Sequence, residues 1–73
     1  MGRRRVLSGR EVCLVLSARG FIEVRRRGSH VVMQKRTSAG TITVPVSNHA
    51  QLKKGALALV IRQSGLSQAL FEE

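Results

Sequence analysis

A histidine preceded by three arginines is the feature of this sequence that could do chemistry. Residues 25–33 have the sequence RRRGSHVVM, so His30 follows a glycine–serine pair and begins an apolar run. An imidazole titrates near neutral pH and can transfer protons, while guanidinium groups hold phosphate through paired hydrogen bonds. The same histidine could also be a solvated loop residue, a core residue or a metal ligand, and the rest of the chain has to distinguish these roles.

Further cations extend this cluster along the chain. Lys35 and Arg36 lie at the far end of the run that His30 begins, and Lys53 and Lys54 stand just before a predicted helix. The first turn of a helix has unpaired N–H groups and the positive end of the helix dipole, which attract phosphate. The alternative is that both lysines only solvate the chain at this point. The candidate RNA-binding residues are Arg25, Arg26, Arg27, Ser29, Lys35, Arg36, Lys53 and Lys54.

The composition favours a polyanionic partner. The chain has 73 residues, with 13 Lys and Arg against 4 Asp and Glu, and a formal net charge of +9. Such a charge attracts RNA, DNA, an anionic membrane or an acidic protein. The length suits one domain with a thin core and no enclosed small-molecule pocket. We predict a single domain over residues 1–73, with a basic N-terminal arm at residues 1–7.

Several other kinds of site are disfavoured. No apolar run approaches the roughly 20 residues that span a bilayer, and the basic start has no apolar stretch behind it, so no secretory signal is predicted. Cys13 is the only cysteine and has no metal-ligand spacing to the two histidines. His49 has no basic cluster around it and is expected to be an ordinary surface residue. We predict no disulfide, metal or cofactor, a core position for Cys13 and a cytoplasmic location.

Hydrophobic periodicity and turn signals predict the elements that position these residues. A first helix is expected over about residues 9–19, with Ser8 and Glu11 forming a capping box. Three segments with strand character follow, FIEVRRR, HVVMQKR and TITVPV, separated by the turn signals GS and TSAG. A second helix is expected within ALALVIRQS, and SQALFEE can begin one more helical turn with Ser67 as its cap.

The short connections between the three strands predict an antiparallel meander. Two amphipathic helices are available to cover one face of the sheet, which gives a two-layer α+β domain with the order α-β-β-β-α. The opposite face is left to water or to a partner. The predicted core consists of Val12, Leu16, Ile22, Val24, Met33, Ile42, Val44, Leu57, Val60 and Ile61.

Alternation along the second strand bears on the face that carries His30. Val31 and Met33 share one face, whereas His30 and Val32 share the other. Burying Val31 and Met33 leaves the polar residues at positions 34 and 36 in water, so we predict that His30 faces outward. Lys35 then has to extend its side chain from the covered face to solvent. The alternative buries Val32 and brings His30 to the rim of the core.

An ordered series of motifs resembles a known family. GF, a basic strand, GSH before an apolar strand, TITVPV, LKKG and IRQSGLS follow one another in the order and approximate spacing of HicA-type toxins, over about residues 8–67. The resemblance implies a fold similar to the double-stranded-RNA-binding domain and a ribonuclease that cuts mRNA. It also implies a partner antitoxin of the HicB type that holds the toxin inactive. His30 occupies the position of the catalytic histidine in the family's Gly-Ser/Thr-His motif.

A metal-free ribonuclease needs few groups, because RNA carries its own nucleophile, the 2′-OH. His30 would supply acid–base catalysis, and nearby Arg and Lys would stabilise charge on the phosphate. The rival hypothesis is a non-catalytic nucleic-acid-binding module in which His30 is a groove contact. A membrane binder is disfavoured, since neither predicted helix joins a basic face to a large apolar one. Phe21 and Phe71 are the only aromatic residues and are expected to be structural.

Overall fold

The elements of the computed structural model, which describes residues 7–71, follow the predicted order of helix, three strands and helix. Their bounds are Gly9–Ala18 for α1, Ile22–Arg27 for β1, His30–Thr37 for β2, Gly40–Ser47 for β3 and Lys54–Ser64 for α2. A 3-10 turn at Gln68–Phe71 follows, where the sequence predicts a further helical turn. The predicted α+β class and α-β-β-β-α order are confirmed.

The three strands form one antiparallel sheet in the order β1-β2-β3, which is the predicted meander. Two-residue turns connect the strands, and the first of these is Gly28-Ser29, directly before His30. Gly28 has a φ of 58°, a conformation that glycine adopts without steric cost. The turn therefore places His30 at the start of the central strand, paired on both sides.

Helix α1 begins at the predicted capping box. The Glu11 N–H donates to the Ser8 hydroxyl oxygen at 3.0 Å, and the Ser8 N–H donates to the Glu11 carboxylate at 2.9 Å. Just before it, Leu7 is buried, and its carbonyl accepts a hydrogen bond from the Leu52 N–H at 2.8 Å. Leu7, the last residue of the predicted basic arm, thus belongs to the core, while residues 1–6 of that arm lie outside the described residues.

The core lies between the two helices and one face of the sheet, mainly that of β2 and β3. Residues buried as predicted are Val12, Leu16, Met33, Val44, Leu57, Val60 and Ile61, with Ile42 partly buried against them. Phe21 and Phe71 are buried, in agreement with the structural role predicted for them. Leu7 and Leu52 are also part of the core, although no pattern in the sequence predicted their burial. Neither helix within residues 7–71 is long and apolar enough to cross a membrane.

The first strand departs from the prediction, because Ile22 and Val24 are 64% and 45% exposed. Their predicted core positions are wrong for two physical reasons. β1 is an edge strand that the helices do not cover, with every residue exposed. In addition, the pairing with β2 shifts between Glu23 and Arg25, so Val24 is an extra residue in a β-bulge. A bulge interrupts the simple alternation of faces on which the prediction depended.

Candidate nucleic-acid interface

His30 lies on the sheet face that the helices leave uncovered. The next residue, Val31, and Met33 are each 1% exposed beneath the helices. Because side chains alternate along a strand, His30 points to the opposite side, where it is exposed. The predicted outward orientation of His30 is confirmed.

Two arginines share this face with His30. Arg27 is directly across from His30 on the neighbouring strand, and Arg25 is across from Val32. Residues opposite one another in an antiparallel pair point to the same side of the sheet, and both arginines are exposed. We call this surface, formed by Arg25, Arg27, His30 and Val32, the His30 face. A phosphate beside the imidazole would meet guanidinium groups from β1.

Arg26 and Lys35, also candidate RNA-binding residues, lie on the covered side of the sheet. Arg26 is across from buried Val31, and its guanidinium donates to the Glu23 carboxylate at 3.0 Å. The Lys35 ammonium nitrogen extends over the Phe21 ring, 5.9 Å from its centre, in the manner predicted for a long side chain that leaves the covered face. The structure therefore brings neither cation to the His30 face.

The remaining candidate cations lie outside the His30 face. Arg36 points to the same side as His30, but the six-residue separation along β2 corresponds to roughly 20 Å at about 3.3 Å per residue. Lys53 immediately precedes α2, and Lys54 is the first residue of that helix. Both lysines are exposed, so they add positive charge at a helix start that already favours anions.

Backbone hydrogen bonds hold the turn before His30 in place. The Asn48 N–H, in the segment that connects β3 to α2, donates to the carbonyl of Ser29. The same segment is attached to α1, because the Gly9 N–H donates to the His49 carbonyl at 2.9 Å. Ser29 therefore contributes a positioning contact through its carbonyl, and α1 indirectly supports the location of His30.

A groove of about 220 Å³ lies between His30 and α2. The sheet forms one wall, and α2 together with the segment that connects it to β3 forms the other. The lining residues are His30, Pro45, Ser47, Leu52, Ala56, Leu59, Val60 and Gln63. No motif in the sequence indicates this groove. Its walls come from segments that are distant along the chain, and no local pattern carries a signal that they meet.

The only cysteine lies on α1, half-buried against the core. Burial raises the pKa of the Cys13 thiol above its ordinary value of 9.0, the nearby Glu23 carboxylate raises it further, and Arg26 opposes the rise. A thiol that remains protonated at neutral pH is a weak nucleophile. Across residues 7–71, no group of three or more His, Cys, Asp or Glu side chains could hold a metal ion.

Comparison with known proteins identifies the family. Residues 9–66 match the family described as HicA toxin of bacterial toxin-antitoxin. The chain belongs to the HicA toxin family. The match runs from the first residue of α1 to beyond the end of α2, so it includes the His30 face and the groove. A comparison with curated proteins finds no match. As a HicA-family member, the protein is a toxin of a bacterial toxin–antitoxin system.

Proposed function

We propose that this HicA-family toxin is an endoribonuclease that cleaves mRNA without a metal ion and uses His30 as its catalytic residue. The observation that carries the proposal is the placement of His30 on an uncovered sheet face directly across from Arg27. A titratable ring and a guanidinium group side by side suit general acid–base chemistry at a phosphate. The net charge of +9 supplies the long-range attraction for the nucleic acid.

The substrate supplies the nucleophile in the proposed reaction. The neutral His30 imidazole accepts the proton of a ribose 2′-OH, and the 2′-oxygen attacks the adjacent phosphorus. The new O2′–P bond forms as the P–O5′ bond breaks, and the leaving 5′-oxygen takes a proton from water. The hydroxide formed from this water then removes the proton from the His30 imidazolium, which restores the neutral ring. Arg25 and Arg27 stabilise the negative charge that accumulates on the phosphate oxygens. The products are a 2′,3′-cyclic phosphate and a 5′-hydroxyl end.

The proposed antitoxin partner is a protein of the HicB type that covers the His30 face. An acidic surface would match the positive charge of this face, which accelerates association. It would also exclude RNA from His30, so inhibition requires no change in the toxin's conformation. We propose that the toxin acts in the cytoplasm, where mRNA is available.

The decisive experiment compares His30→Ala with His49→Ala in a cleavage assay on labelled RNA containing EDTA. Both histidines are exposed, and the control variant removes an imidazole that is not among the residues lining the groove beside His30. We expect His30→Ala to cleave at least about 10²-fold more slowly than wild type, since general acid–base groups contribute about 10²- to 10⁴-fold. His49→Ala should cleave at the wild-type rate, and both variants should remain folded and bind RNA.

The ends of the products provide a second test. Wild-type cleavage should leave a 2′,3′-cyclic or 3′-phosphate, and RNA with 2′-O-methyl groups should resist. If His30→Ala cleaved as fast as wild type, or if only an added divalent metal gave activity, the proposal would be wrong. The non-catalytic RNA- or DNA-binding module would then be the better explanation of the basic face.

A further inference from the structure

The groove beside His30 is an apolar concavity on a strongly basic molecule. Its walls include Pro45 from β3 and Ala56, Leu59 and Val60 from α2. Leu59 is large and apolar and yet 53% exposed. Burying such a side chain against a flat apolar group is favourable, at about 25 cal/mol per Å² of apolar surface removed from water.

Cations stand on both sides of this groove. Arg25 and Arg27 belong to the strand next to His30, and Lys53 and Lys54 stand at the start of the helix that forms the opposite wall. A polyanion that contacts both pairs passes over the groove. RNA combines a polyanionic backbone with a flat base at every nucleotide. The positive charge around the groove therefore favours RNA as its occupant over an apolar peptide.

Gln63 gives the groove a polar group that could distinguish one base from another. It lies on α2 among the lining residues and is exposed. A glutamine amide offers two N–H donors and a carbonyl acceptor, a combination that can pair with the edge of a base. Within residues 7–71, the Gln63 amide makes no hydrogen bond to another side chain, so its donors and acceptor are available.

We propose that the groove holds the nucleobase next to the scissile phosphate and that Gln63 contacts the edge of this base. This inference rests on the proposed ribonuclease function and extends it to substrate selection. With the base held against Leu59 and Pro45, the attached ribose is directed towards His30, which lines the same groove. Gln63 is then a specificity-determining residue and His30 remains the catalytic one.

The first test fills the groove with Ala56→Leu and uses Ala58→Leu as the matched control. Ala58 is also exposed on α2 but is not part of the groove lining. Because Ala and Leu have similar helix propensities, both variants should melt close to wild type. We expect Ala56→Leu to lower kcat/KM roughly tenfold or more, because a change of even one methylene group in a binding pocket typically alters kcat/KM by about 10-fold or more. Ala58→Leu should retain the wild-type value.

The second test compares the base composition next to the cut for wild type and Gln63→Ala, by sequencing the ends of fragments from a mixed RNA pool. We expect wild type to favour particular bases at this position and Gln63→Ala to lose the preference. Identical base preferences for the two proteins would overturn the role of Gln63. An unchanged kcat/KM for Ala56→Leu would overturn the role of the groove.

These outcomes are distinct from a failure of the proposed function. If wild-type protein cleaved no RNA, the ribonuclease proposal would fail and the groove inference with it. If wild type cleaved RNA but both groove variants matched Ala58→Leu in rate and base preference, the groove inference alone would fail. If the groove variants cleaved normally but escaped inhibition by the antitoxin, the occupant would be the protein partner, which also contradicts the inference.

Discussion

Three consecutive arginines with the same chemistry have different surroundings in this fold. Arg25 and Arg27 lie on the His30 face, whereas Arg26 lies on the covered side and is paired with Glu23. This ion pair is about half exposed, so it contributes little to stability, roughly 0–1 kcal/mol. Its consequence is electrostatic, because the Glu23 carboxylate compensates the charge of Arg26 locally, whereas Arg25 and Arg27 form no ion pair with another residue of the range 7–71.

We therefore expect Arg25→Ala and Arg27→Ala to weaken RNA binding more than Arg26→Ala does. Each lost phosphate contact should reduce the slope of log affinity against log salt concentration by about 0.7 for single-stranded RNA. Fluorescence anisotropy at several salt concentrations measures this slope directly, with Arg26→Ala as the matched control. Equal losses of RNA affinity for the three variants would contradict this expectation, because an arginine's side of the sheet would then have no influence on RNA binding.

At the scale of elements, α1 approaches the connection between β3 and α2 very closely. A Cβ built on Gly9 would lie 2.7 Å from the Asn48 Cα and would also collide with the Ser47 carbonyl oxygen. Both are backbone atoms and cannot rotate aside. Gly55, in the first turn of α2, has no atom within 4 Å of an added Cβ. The first turns of the two helices thus contain glycines that differ in what surrounds them.

Gly9→Ala and Gly55→Ala are expected to change stability in opposite directions. Gly9→Ala should lower the free energy of unfolding by about 1–3 kcal/mol, because the added methyl forces the backbones apart. Gly55→Ala should raise it by roughly 0.5–1 kcal/mol, since alanine loses less conformational entropy in a helix. Urea denaturation of the two variants measures both changes. A stabilising Gly9→Ala would contradict the close packing of α1 against this connection.

At the scale of the whole molecule, the net charge of +9 governs encounters with partners. RNA and an acidic antitoxin would compete for one positive surface, so the same residues would serve substrate binding and inhibition. An antitoxin that covers the His30 face does not require a second, separate binding site on the toxin. Mutually exclusive binding is the simplest way for such a partner to keep the toxin inactive.

The antitoxin's association rate should consequently fall as salt rises, because charge complementarity acts mainly on the rate of encounter. Replacing both Arg25 and Arg27 by Glu in one variant should slow association further. Arg19→Glu is the control, since this exposed residue lies at the end of α1. Surface plasmon resonance measures these rates. An antitoxin that bound the helical side, left His30 open and still inhibited would contradict this mode of inhibition.

Local features of this protein are determined by the sequence alone. The capping box at Ser8 and Glu11 and the alternation of Ile42, Val44 and Val46 along β3 were all predictable. Each depends on hydrogen bonds or side-chain directions within a few residues, which chain position sets directly. The same alternation along β2 predicts the outward orientation of His30 once Val31 and Met33 are the buried residues, a choice that the polar residues at positions 34 and 36 favour. Its catalytic role remains a prediction, based on the position it shares with the family's histidine.

Other features were decided only by the tertiary structure. The extent of helix coverage leaves β1 outside the core, and the bulge at Val24 places Ile22 across from Gln34, on the face that the helices leave uncovered. The groove beside His30 and the burial of Leu7 against the connection before α2 depend on segments far apart in the chain. Such features depend on how helices and sheet pack together, and packing is a property of the assembled chain that no local periodicity encodes.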